Sequence, residues 1–344
     1  MSHDISAPAS PLLVVVSIDT EEDNWEPTRD DIRVTNIRAV PEMQRTFEAF
    51  GIRPTYFTSF HVARVPWAAA IMRDIGLSGN AEIGAHLHPW NTPPLRESMQ
   101  ARHTMMKNLP EDLQEEKLVV LTEAIEELLG SKPRSFRAGR FGIGATGAHL
   151  LARCGYGVDS SVTPFLDWRR YDDGPDHRRA PLSIYRPSLT DITKAAPAGP
   201  IVEVPLSIGY TRGPFAQWSQ RHDWLVASRI GRFSLGSLAY RTHFLRKVQL
   251  SFETDSVRDM LSLTRQLVRE GARCLHLNWH SPSMVEGLSP FAKHLADRHR
   301  FRANLDRYFD QLSSSMSFSF ATVAEAAERL APRPTRELVH VGEQ

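Results

Sequence analysis

The sequence predicts an α/β fold built from parallel βαβ units and closed as a barrel. Leu12 to Ile18 is an unbroken apolar, β-branched run ending in acids, as expected of a parallel strand buried on both faces. Short strand-like runs then alternate with amphipathic segments along most of the chain. The residues with the most chemical potential (the acids from Asp19 to Asp23, His86, His88, Arg137 and His280) fall at the C-terminal ends of expected strands. In a parallel α/β barrel those ends form the catalytic face.

After the first strand, Val40 to Phe50 has Met43, Phe47 and Phe50 at helical spacing, with Gly51 as its stop. Pro54 to Thr58 reads as a strand, Pro66 to Asp74 as a helix, and Ala81 to Gly84 as a short strand leading into the histidines. Pro110 to Leu129 is the clearest amphipathic helix, closed by Gly130. Strand Ser135 to Arg137, helix Thr146 to Cys154 and strand Gly157 to Asp159 continue the alternation. It resumes with strand Ile201 to Leu206, helix Ser256 to Glu270, strand Cys274 to Trp279 and helix Asp297 to Leu312, and closes with strand Ser317 to Phe320 and helix Ala321 to Leu330. Two stretches break the rhythm. Thr163 to Pro200, rich in Pro, Asp and Arg, reads as a long surface excursion. Tyr210 to Lys247 interleaves seven basic residues with Trp218, Trp224, Phe233, Tyr240 and Phe244. Such interleaving suits nucleic acid or an anionic ligand, but an amphipathic lid packed on the barrel is the plainer reading. The tail 332–344 has no periodicity and reads as flexible.

Composition narrows the function classes. The chain has 344 residues, 41% apolar and 24% charged, enough for a sizeable core in one large domain or two small ones. A net charge of +1 does not advertise nucleic acid or an acidic membrane. Cys154 and Cys274 form no framework and fit a reducing compartment. The run from Leu12 to Val16 has no basic segment before it and is too short for a signal peptide, and no segment reaches the roughly 18 apolar residues of a membrane span. The cytoplasm is therefore the expected location. Oligomeric state leaves no mark in the sequence.

His86 and His88, one residue apart, lie on one side of an extended backbone. With a carboxylate they make the mixed N/O set that Zn²⁺ accepts, with room for water. Asp19, Glu21 and Asp23 share a face if the first strand continues, so Glu21 and Asp23 compete as the acidic ligand. His276 lies on the same face as His280 but roughly 13 Å deeper at strand rise, and reads as a hydrogen-bonded core histidine.

Five motifs in register resemble the polysaccharide deacetylase superfamily, with its NodB homology domain of carbohydrate esterase family 4: Asp19-Thr20-Glu21, Glu82-Ile83-Gly84-Ala85-His86, Phe136-Arg137-Ala138-Gly139, Asp159-Ser160-Ser161 and Asn278-Trp279-His280-Ser281-Pro282-Ser283. Gly287-Leu288-Ser289-Pro290-Phe291 adds a likeness to its WalW-like branch. The resemblance implies a deformed (β/α) barrel of the glycoside hydrolase/deacetylase type and one divalent metal, usually Zn²⁺. It also implies Asp19 as base, His280 as acid, His86 as a ligand, and Arg137 as the arginine that orients the catalytic acidic residue. Three positions depart from the family pattern. Thr20 separates the two acids, Trp90 stands four after His86 where the second histidine belongs, and Gly139 replaces a proline. His88 must then supply the missing ligand, with Glu21 as the carboxylate, or the metal site is incomplete.

The reading that results is a single barrel over residues 11–331 with an inserted lid near 210–250. Asp19, His280 and Arg137 are its catalytic set and Glu21, His86 and His88 its metal ligands. Trp90, Arg140 and Trp168 are expected to contact an N-acylated sugar or related small molecule. The expected reaction is removal of an N-acetyl group from an amino sugar of a surface-polysaccharide pathway. A same-fold hydrolase of a non-sugar amide or formyl group, and a non-catalytic binding protein with a degenerate metal site, are the alternatives.

Overall fold

Strand β1, Leu12–Thr20, is buried along its whole length because it has three parallel neighbours. The computed structural model describes residues 11–227 and 246–333. On one flank of β1 runs β9, Cys274–His280, in register from Leu13↔Cys274 to Asp19↔His280. The other flank is divided. Its first half pairs with β10, Phe318–Ala321, and its second half with β2, Thr55–Ser59. The sheet continues in parallel through β3 (Glu82–Leu87), β4 (Ser135–Ala138), β5 (Val158–Asp159) and β6 (Val202–Glu203).

The expected strand Ile201 to Leu206 contracts to β6 because the chain beyond it turns to close the ring. Val204 N–H donates to the Asp159 carbonyl, Leu206 N–H to that of Val162, and Ser207 N–H to that of His276. His276 N–H answers by donating to Ser207 Oγ at 2.8 Å. The result is a deformed α/β barrel whose seam is a few irregular hydrogen bonds rather than a full ladder.

Alternation along β1 sorts its side chains. Val14, Val16 and Ile18 face the surrounding helices, while Leu13 and Val15 fill the lumen with Phe57, Val204 and Ala321. The helices include α1 (Val40–Phe50), α2 (Phe60–Arg64), α3 (Pro66–Leu77), α4 (Glu111–Leu129) and α5 (Ala145–Arg153). Gly51 and Gly130, at φ of 71° and 75°, end α1 and α4 as the sequence predicts. Helices Val257–Arg269, Leu295–Ser315 and Val323–Leu330 complete the described layer.

The excursion from Thr163 to Pro200 is less superficial than its composition suggests: Phe165, Ile184, Tyr185 and Ile192 are buried. The expected lid leaves and returns through an antiparallel pair, β7 (Ile208–Tyr210) and β8 (Lys247–Gln249), and includes α6, Phe215–Ala227. Its residues 228–245, and residues 334–344 of the expected tail, lie outside the described residues. Among the described residues no helix is long and apolar enough to cross a membrane.

Candidate metal centre and catalytic cavity

Above the apolar floor of the lumen lies a polar layer organised by Arg137, whose side chain is 0% exposed. The guanidinium rests over the Phe57 ring at 4.2 Å and uses all three nitrogens. Nε donates to the Ser160 carbonyl, NH2 to Ser17 Oγ and Ser160 Oγ at 2.9 Å each, and NH1 to Asp19 Oδ1 at 2.5 Å. The Asp159-Ser160-Ser161 motif serves this arrangement: Asp159 Oδ1 accepts from Ser160 N–H and Ser161 Oγ, fixing the turn that presents Ser160. With Oδ1 held, Asp19 is left with Oδ2 toward the top of the barrel. Burial alone would raise its pKa, but Arg137, His86 and His280 outweigh burial and hold it below the usual carboxylate value.

β1 stops at Thr20, and the acids beyond it diverge. Glu21 turns to the histidines, with Oε2 3.3 Å from His86 Nε2 and 3.1 Å from His88 Nε2. Asp23, the competing ligand candidate, goes the other way, because the strand does not continue far enough to bring it onto the same face. Its carboxylate accepts from Thr35 N–H, Thr35 Oγ1, Asn36 N–H and Asn36 Nδ2 and clasps the loop. Glu22, whose place in the sequence carries no sign of a role, reaches back under His88.

β3 alternates Ile83, Ala85 and Leu87 into the helix layer, which places His86 and His88 together on the lumen side. His86 Nδ1 donates to the Arg137 carbonyl at 3.1 Å, and His88 Nδ1 donates to Glu22 Oε2 at 2.8 Å. Each of these bonds fixes a tautomer that leaves Nε2 as the lone-pair nitrogen. The two Nε2 atoms lie 3.0 Å apart. Two lone pairs and a carboxylate converging this closely repel one another unless a cation or proton lies between them. Glu21, His86 and His88 accordingly form the one group among the described residues able to hold a metal ion. Two imidazoles and one carboxylate, each imidazole braced by an acceptor, suit Zn²⁺ with an open position. Burial opposes charge on His88, but Glu22 and Glu21 raise its pKa to about 10, so a bound cation takes the place of a tightly held proton.

The local departures belong together. A Cβ on Gly139 would lie 2.6 Å from His88 Cδ2 and 2.7 Å from the Leu87 carbonyl, so the His88 ring occupies space that only glycine leaves open. Trp90 stacks on the other face of His88, with centroids 4.2 Å apart and planes at 20°. Its loop is fastened from below by Lys117, which donates to the carbonyls of Thr92 and Pro94 and pairs with Glu97 at 3.2 Å. Arg29 fastens it from the side, bonding the Trp90 carbonyl and Glu97.

A cavity of about 200 Å³ opens over this group, with Asp19, Glu21, His86, His88 and His280 at its base. Trp25, Trp90, Arg140 and Phe141 form part of its walls. Arg140 and Phe141 both hold positive φ, 54° and 55°, which turns the chain sharply at the rim. Trp168 is not brought into the lining. It sits behind Phe141 at 5.7 Å and donates Nε1–H to Thr163 Oγ1.

No family model and no curated protein matches the chain. Solved structures do. A protein from Mycobacterium smegmatis, provisionally described as a polysaccharide deacetylase, superposes with a TM-score of 0.53 at 18% identity over 94% of each chain. A second, from Parabacteroides distasonis and provisionally described as a glycoside hydrolase/deacetylase, gives 0.58 at 13% identity, covering 92% of this chain and 70% of its own. The chain has the deacetylase fold.

In that fold the end of β9 supplies the last feature of the cavity. His280 Nε2 lies 3.7 Å from Asp19 Oδ2, and its Nδ1 donates to Glu253 Oε2 at 3.0 Å. The Glu253 side chain is 3% exposed; its other oxygen accepts from His280 N–H at 3.0 Å and from Ser283 Oγ. Burial lowers the His280 pKa, but Glu253, Glu21 and Asp19 reverse this and raise it to about 10. His276 is the opposite case. Deep in the lumen beside Ser17 and Arg137, burial and the guanidinium lower it to about 3, so it stays neutral, as expected of a core histidine.

Proposed function

We propose that this protein is a metal-dependent amide hydrolase that removes an N-acetyl group from an amino sugar, of the kind handled in surface-polysaccharide pathways, and that it belongs to the polysaccharide deacetylase superfamily near its WalW-like branch. The observation that carries this reading is the convergence of His86 Nε2, His88 Nε2 and Glu21 Oε2 beside Asp19 and His280. A divalent cation bound there, Zn²⁺ by its donors, would supply Lewis acidity and a water of lowered pKa.

The residues of the chain do the rest. Asp19 Oδ2 takes the proton of the attacking water while Arg137 keeps the carboxylate from turning away. His280 Nε2 gives its proton to the departing amine nitrogen as the amide C–N bond breaks, and Glu253 keeps that histidine protonated and oriented. Trp25, Trp90 and Phe141 offer apolar faces to a sugar ring, Arg140 offers hydrogen-bond donors at the rim, and Trp168 supports Phe141 from behind. On this reading residues 11–331 make one catalytic barrel with an inserted lid near 210–250.

Metal analysis of protein purified without chelator, combined with acetate release from N-acetylglucosamine oligomers and from non-sugar acetamides and formamides, tests the proposal. About one equivalent of zinc and acetate released from the sugars is the expected result. Release from the non-sugar compounds alone would transfer the same chemistry to another substrate class. Absence of metal would overturn the mechanism.

A further inference from the structure

We propose that the groove between helices Val257–Arg269 and Leu295–Ser315 is a second ligand site, one that takes an extended oligoanion. The groove encloses about 550 Å³ and is lined by Arg258 and Arg265 from one helix and Arg300 and Arg307 from the other. Each pair is separated by seven residues, two helical turns, so each places two guanidinium groups on one face roughly 10 Å apart. The helices that carry them are locked side by side, in part by the bond between Thr264 Oγ1 and Tyr308 OH at 2.7 Å. Four cationic groups are thereby held around one depression.

Three of the four are not neutralised where they stand. Among the described residues Arg258, Arg265 and Arg307 have no carboxylate within ion-pair distance, and only Arg300 does, bonding Asp297 at 2.7 Å. Other exposed arginines, among them Arg33, Arg64, Arg96, Arg134 and Arg153, do have an acidic partner, so what sets the groove apart is that it gathers three unpaired guanidinium groups and Arg300 around one depression. The two acids that line the groove are turned to other work. Glu253 is engaged with His280 and Ser283, and Asp255 accepts from Gln249 N–H and Thr254 Oγ1. Asn304 and Gln311 add neutral hydrogen-bonding groups between and beyond the arginines of the second helix.

Guanidinium groups grip phosphate or carboxylate in two-point contacts, so the ligand class is a flexible molecule carrying two or more such groups along about 10 Å. This site and the catalytic cavity share no lining residue. The inference therefore stands whether or not the proposed reaction is correct.

Calorimetric titration with tripolyphosphate, trigalacturonate and inorganic phosphate tests it. At least one of the two oligoanions should bind about tenfold tighter than inorganic phosphate, and the tighter of them identifies a phosphate or a carboxylate ligand. The double variants R258E/R307E and R258Q/R307Q should lose about tenfold or more, since each removed contact is a charge-assisted hydrogen bond. R33E, which changes the same kind of charge on another surface, should bind like the parent, and so should H86A, in which chelation at the proposed metal centre is removed. Weak and equal binding of all three anions would overturn the site. Losses in R33E or H86A as large as those in the double variants would also overturn it, assigning the binding to overall charge or to the metal centre.

Discussion

Replacing Glu253 with Gln weakens the largest of the interactions that raise the proton affinity of the proposed acid. The Glu253 side chain, 3% exposed, contacts His280 Nδ1 at 3.0 Å and is the largest of the influences raising the His280 pKa to about 10. A hydrogen bond to a charged group in such a place contributes about 1.5–3 kcal/mol. At 1.36 kcal/mol per pKa unit, E253Q should lower the His280 pKa by about one to two units. The sign follows from the chemistry: His280 must carry its proton to release the amine, so activity falls as pH rises through that pKa. In the parent the alkaline limb of kcat/KM belongs to a raised pKa; in E253Q the limb moves to lower pH by about one to two units. The amide oxygen of Gln can satisfy only one side of the cluster that Glu253 serves, so the variant should also lose about 1–3 kcal/mol of stability. The assay is the pH dependence of kcat/KM for an N-acetyl amide alongside an activated acetate ester, which hardly needs the acid. An alkaline limb that stays in place for the amide, or moves equally for the ester, would refute the assignment of His280 as the proton donor.

H86A should lose tight zinc binding, because two remaining ligands hold the ion poorly, and H88A should do the same if His88 is the replacement ligand; competition with a chromophoric chelator reads both. D19N should retain zinc and lower turnover by about 10²–10⁴-fold in the same amide assay, whereas loss of zinc would make Asp19 a ligand. K117M should cost about 3–5 kcal/mol in urea unfolding, since the buried ammonium bonds two carbonyls and Glu97, and it should weaken zinc binding by loosening the loop after His88.

Much of the candidate site is legible in the sequence because its geometry is local. His-x-His at the end of a strand needs only the alternation of an extended chain to bring both rings to one face, and Asp19 needs only the end of β1. His276 reads correctly as a core residue for the same reason, from its depth along the strand. What the sequence conceals is everything decided across the barrel. Glu22 reaches His88 from 66 positions away, and Glu253 reaches His280 from 27. Neither has a spacing pattern, because their meeting is set by the closure of the sheet. Asp23 misleads for a related reason: the expectation that it joins Glu21 presumes a strand that runs on, and the loop hydrogen bonds at Thr35 and Asn36 end it first. Trp168 carries an aromatic signal that the sequence cannot distinguish from that of Phe141, which takes the place in the lining.

The division of one flank of β1 between β2 and β10 has a consequence for how the chain comes together. β1 meets β2 within about one βαβ unit, but its partners at Cys274 and Phe318 are made more than 250 residues later. During synthesis the most apolar strand of the barrel therefore waits, with most of its length unpaired, for two of its three neighbours. Such high contact order slows folding and exposes aggregation-prone surface in the interval. The first half of β1 cannot be covered before β10 emerges, so truncation ahead of Phe318 would leave Leu12 to Val15 open on that flank, at the far end of the barrel from the catalytic cavity.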